Sequence, residues 1–105
     1  MSEASIAMDF AKACKQSEQI HEIANQLSTL STKQFDETMR LLSSNWEGDS
    51  SKQYLNKCVD LQEAMKMSAD NIHDVATTIY NVAKRIYEAE LRNLQIAQQR
   101  NNTEK

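Results

Sequence analysis

The chain has 105 residues, no proline, one glycine and 6% aromatic residues. That is the length of one domain, and a composition so short of helix breakers and of sheet-forming aromatics points to long helices. A net charge of -3 without a run of Lys or Arg excludes a nucleic-acid groove or an anionic-membrane footprint, and no apolar run approaches the roughly 18 residues of a bilayer span.

The first ten residues, Met1 to Phe10, carry acids and lack a continuous apolar core, so they do not read as a secretory signal. Helix one is predicted over about 6–44. Phe10, Ala13, Cys14, Ile20, Ile23, Ala24, Leu27 and Leu30 recur at steps of three and four, the spacing of one helix face. The phase slips between Ser28 and Thr32, and the stripe resumes one place late with Phe35, Met39, Leu42 and Trp46. Ser and Thr are mediocre helix formers, so a bend or a looser turn is expected there within a single helix.

The turn is predicted at about 45–50. Trp46 and Gly48 are the only tryptophan and the only glycine. Gly48 suits the positive φ that ends a helix. Asp49 or Ser50 suits the N-cap of the next, and Gln53 completes a capping box with Ser50. So short a link makes the helices antiparallel. Trp46 then closes the tip against Tyr54 and Leu55, burying about 200 Å².

Helix two is predicted over about 51–98, followed by a polar tail. Tyr54, Cys58, Leu61, Met65, Ser68, Ile72, Val75, Ile79, Val82, Ile86 and Ala89 follow alternating steps of four and three, a heptad seam. A second stripe, Ala76, Tyr80, Ala83, Tyr87, Leu91 and Leu94, is offset by one residue, about 100° of rotation. One stripe faces helix one and the other has no partner within the chain. The expected fold is therefore all-α: an antiparallel two-helix hairpin with a Trp-x-Gly turn, pairing into a four-helix bundle dimer. The second stripe, with Glu90, is assigned to the partner surface.

Trp46-Glu47-Gly48 at the bend of a helical chain of about this length, with Ser50 and Tyr54 following, resembles the WXG family of small helical-hairpin proteins of type VII secretion. The resemblance implies pairing, as a homodimer or with another helical hairpin or the helical N-terminal domain of a toxin. It implies a cytoplasmic stage, then export by an ATPase-driven machine without a cleaved signal. The family's export signal, Tyr-x-x-x-Asp/Glu, is not met: four residues beyond Tyr80 stands Lys84, and four beyond Tyr87 stands Leu91. Tyr87 and Glu90 present a related surface, since i and i+3 share a helix face. The departure favours a protein that escorts or is escorted by a larger effector. An independently secreted homodimer and a cytosolic coiled-coil adaptor unrelated to secretion are the alternatives.

Chemistry is not expected. Glu18-x-x-His21 and Asp70-x-x-His73 have the carboxylate-x-x-His form of di-iron bundles. Glu18 lies 30 residues before Gly48, however, and Asp70 only 22 after it, a mismatch of about 12 Å along the axis. No metal or cofactor is assigned on that ground. No catalytic residue is assigned either, because no nucleophile, base and orienting acid are brought together by any pattern in the sequence. Cys14 and Cys58 stand 34 and 10 residues from Gly48, too far apart in a hairpin for a disulfide, which needs Cα atoms within about 7 Å.

Overall fold

The computed structural model describes residues 2–45 and 47–104. Helix α1 spans Glu3–Thr29, a π turn follows at Leu30–Gln34, α2 spans Phe35–Asn45 and α3 spans Asp49–Glu104. No strand occurs among the described residues. The chain forms two compact units, one of Met1–Gln19 with Val75–Lys105 (unit 1) and one of Ile20–Asp74 (unit 2).

In unit 1 the N-terminal part of α1 lies antiparallel to the C-terminal half of α3. Ser17 Oγ donates to the carbonyl of Ala76 at 2.8 Å, and Phe10 meets Tyr80 and Tyr87. Falling numbers on α1 thus meet rising numbers on α3. Helix α1 starts earlier than its apolar stripe suggests, because Ser2 and Ser5 cap it. Each backbone N–H donates to the other's hydroxyl at 3.1 Å, a reciprocal box built with Ser in place of the usual Glu. Helix α3 likewise runs beyond residue 98 to Glu104. The segment is polar but holds neither Gly nor Pro, so nothing in it breaks a helix already under way.

Unit 2 is a helical hairpin. Its outgoing arm holds the π turn where the apolar phase slips. The Phe35 N–H donates to the carbonyl of Leu30, five residues back. A π turn takes up one more residue than an α turn, which is the one-place delay with which Phe35, Met39 and Leu42 resume the inward stripe. Helix α2 ends where Ser43 and Ser44 turn their hydroxyls back to the carbonyls of Arg40 and Leu41, and Asn45 Nδ2 also donates to Leu41 at 2.9 Å. Such local bonds compete with continued helix. Gly48 follows with φ 116°, a region that side chains disfavour.

The start of α3 corrects the expected cap. The Gly48 carbonyl accepts the Lys52 N–H at 3.2 Å and the Ser51 hydroxyl at 2.9 Å. That first intrahelical bond makes Gly48 itself the N-cap, a place glycine fills well, so Ser50 lies inside the helix. Ser51, buried, is the serine that engages the turn. Asp49 stands in the first turn, where a carboxylate complements the helix dipole. Trp46, expected to close the tip, lies outside the described residues.

Candidate partner-binding surfaces

What each unit buries is small. Unit 2 buries Ala24, Ser31, Ser51, Gln62 and Ala69, and unit 1 buries Ile6, Ser17 and Ala76. Small residues bring two helices close, because the interaxial distance follows the side chains at the contact. They add little hydrophobic free energy: full burial of a Val, Leu or Ile contributes about 1.5–3 kcal/mol, and among the described residues of these types Ile6 alone is fully buried.

Several large aliphatic side chains stand one position away, and outside, while Leu27, Leu42, Leu55 and Ile72 are half-buried. In unit 2, Ile23 is 55% exposed beside Ala24 at 0%, and Leu61 is 54% exposed beside Gln62 at 8%. Leu30 precedes buried Ser31 and Leu41 precedes half-buried Leu42 in the same way. In every case the exposed residue is the one N-terminal to the inward one, an offset of about 100°. The two arms are antiparallel and face each other, so the same rotational offset turns Ile23, Leu30, Leu41 and Leu61 to one side of the pair. Tyr54, exposed on the first turns of α3, precedes half-buried Leu55 and shares that side.

Unit 1 repeats the pattern on α3. Val75 is 54% exposed beside Ala76 at 0%. Val82 and Ile86 are exposed beside half-buried Ala83 and Tyr87. Three residues expected on the partner surface, Ala76, Ala83 and Tyr87, therefore lie elsewhere. Ala76, Ala83 and Tyr87 pack within the chain and Val75, Val82 and Ile86 face out, whereas Ile79 of the latter row is half-buried and Tyr80 of the former is exposed. Tyr87 stacks on Phe10 with ring centroids 4.7 Å apart, and Tyr80 lies tilted at 6.1 Å from the same ring. The reason is steric: alanines permit the close approach that buries the Ser17–Ala76 hydrogen bond, and valines in their place would hold the helices apart. Tyr80 keeps an exposed edge, while Glu90, Leu91 and Leu94 are half-buried. Ile6 and Glu90 line one groove with Phe10 and Tyr87.

Two polar contacts in unit 2 were not among the expectations from the sequence. Gln62 Nε2 donates to the Ser31 carbonyl at 2.5 Å and to Asp36 Oδ1 at 2.6 Å. The Nδ1 atoms of His21 and His73 lie 2.7 Å apart across the two arms. The second contact was findable: His21 is 27 residues before Gly48 and His73 is 25 after it, near-equal distances from the bend. Cys14 and Cys58 are both free thiols, half-buried. Among the described residues no helix is long and apolar enough to cross a membrane.

Antiparallel helices that bury small residues and leave several large apolar ones exposed make up a small all-helical protein. A family model described as WXG100, proteins of 100 residues with WXG, matches residues 5–91. The chain belongs to this family, as its Trp46-Glu47-Gly48 resemblance implied. Membership makes it a small helical protein associated with type VII secretion, a route that exports proteins of this family without a signal peptide. Neither a curated protein nor a solved structure matches the chain.

Proposed function

We propose that the protein is a pairing subunit of type VII secretion, which joins a second helical hairpin through its outward apolar faces and is exported with, or targets, a larger effector. The observation that carries this reading is that most fully buried positions are Ala or Ser while Ile23, Leu30, Leu41, Leu61, Val75, Val82 and Ile86 stay exposed. A lone monomer leaves those side chains in water, and a partner that covers them adds the hydrophobic stabilisation the thin intrachain seam lacks. In unit 2 the docking side is Ile23, Leu30, Leu41 and Leu61. In unit 1 it is Val75, Val82 and Ile86, with the exposed edge of Tyr80 and the Glu90, Leu91 and Leu94 segment beyond. The missing Tyr-x-x-x-Asp/Glu pattern favours a chain that shares the export signal of its partner. The partner is a second copy or the helical N-terminal segment of an effector, and the secretion ATPase is the machine both would meet.

The test is light scattering on the purified chain, alone and co-expressed with the helical product of a neighbouring reading frame. It is coupled to comparison of cytosol and culture supernatant with and without the secretion ATPase. Two-chain assemblies that Leu61→Glu disperses, and ATPase-dependent appearance outside the cell, are the expected results. A chain that stays monomeric under both conditions, or that never leaves the cytosol, overturns the reading.

A further inference from the structure

The two histidines of the chain sit on different arms of unit 2, yet their side chains converge. Their Nδ1 atoms are 2.7 Å apart, with ring centroids at 5.0 Å and planes inclined by 35°. Two imidazole nitrogens at that distance share one proton, one ring donating and the other accepting. Both rings are half-buried, so the nitrogens are held by the packing of the arms while one side stays open to water. Ala24 and Ala69, close by in sequence on either arm, are buried and let the arms approach.

We propose that His21 and His73 form a two-histidine clamp for a divalent transition-metal ion of the Zn²⁺, Ni²⁺ or Cu²⁺ class. Neutral imidazole is the side chain these ions take most readily. Two nitrogens bound to one ion at about 2.05 Å in tetrahedral geometry lie about 3.3 Å apart, so the rings need to separate by only about 0.6 Å, within the play of two side-chain torsions. The nearest charged groups along the arms of unit 2 are Glu22 beside His21, and Asp70 and Asp74 beside His73, all exposed carboxylates. Their field favours a cation at the pair. Among the described residues no three His, Cys, Asp or Glu side chains converge, so the chain supplies two ligands and water completes the shell. A hard ion such as Mg²⁺ or Ca²⁺, which wants an oxygen cage, is not accommodated. Bound metal replaces a single shared hydrogen bond by two coordinate bonds and ties the outgoing arm to the returning one.

This inference does not rest on the secretion reading, and its test is separate. The chain holds no other histidine, so in the untagged protein every imidazole nitrogen resonance belongs to the pair. Titration with Zn²⁺ alone is expected to shift the ring nitrogens of both residues together, saturate at one ion per chain, and raise the melting midpoint by about 4–8 °C. Chelation reverses all three changes. His21→Gln and His73→Gln should each abolish the shift in midpoint, while a Cys14→Ser, Cys58→Ser double variant retains it. Ring resonances that stay put in wild-type protein overturn the clamp without any variant. So does one-to-one binding that survives both histidine substitutions, or binding that the cysteine substitutions remove.

Discussion

The side-chain amide of Gln62 reaches across unit 2 to the backbone carbonyl of Ser31, inside the π turn, and to Asp36 Oδ1 on the next turn. Ordinarily a Gln at the centre of a helix–helix contact is a liability, because a buried amide costs free energy unless it is bonded. Here the liability is the fit. A π turn disturbs the regular i to i−4 ladder, and a side chain inserted from the facing arm supplies a donor to its backbone. Gln62→Leu is therefore expected to destabilise the protein by about 1–3 kcal/mol despite adding apolar surface, since it removes the buried bonds to the Ser31 carbonyl and to Asp36. Urea unfolding measures this directly; a leucine variant as stable as wild type would show that the π turn needs no such donor.

Gly48 allows a cleaner separation of causes. A Cβ built on it meets nothing within 4 Å, so any cost of Gly48→Ala is backbone strain at φ 116° and not a clash. Residues forced into so sparse a region lose about 1–3 kcal/mol. A chain synthesised with D-alanine at the same position should lose nothing and gain slightly, because the unfolded chain is stiffened. Equal destabilisation by both enantiomers would place the cost elsewhere than in φ.

Neighbouring residues 75 and 76 should respond in opposite ways. Ala76→Leu adds three carbons to a fully buried position under the Ser17 hydrogen bond, and overpacking of this kind costs about 1–3 kcal/mol. Val75→Ser removes apolar surface from an exposed position and should change monomer stability by under about 0.5 kcal/mol, while weakening pairing measured by light scattering. If Val75→Ser unfolds the chain and Ala76→Leu is silent, the two stripes have been assigned the wrong way round.

Much of this was legible from the residues. The steps of three and four, the slip at Ser28–Thr32 and the lone glycine mark the helices, the π turn and the bend, because each reflects local backbone physics. The facing stripe of α3 was not legible. Periodicity finds the rows through Val75 and through Ala76 equally well, and hydrophobicity alone prefers the valines. Close approach of the helices decides for the alanines, and closeness is a property of two segments together. Gln62 was invisible for the same reason: its partners, the Ser31 carbonyl and Asp36, lie on the facing arm. The His21–His73 contact was hidden by aligning the Glu18 and Asp70 motifs as units, when the histidines alone stand at similar distances from Gly48, 27 and 25 residues.

Tyr87 is the residue for which structure and sequence pattern lead to opposite experiments. Its place in the second stripe assigned it to the partner surface. Its ring instead stacks on Phe10, 4.7 Å between centroids and 24° between planes, within the unit that α1 and α3 form. Tyr87→Ala is thus expected to cost stability of the isolated chain, about 1–2 kcal/mol from stacking and lost area together. Phe10→Ala should do the same and also release Tyr80. The double variant should cost less than the two singles combined, with a coupling of about 0.5–1.5 kcal/mol, whereas Tyr87→Phe keeps the stack and should be nearly neutral. Additive losses would mean that the rings act independently. In that case Tyr87 returns to the outer surface, and its loss should then be read in partner binding and not in the unfolding midpoint.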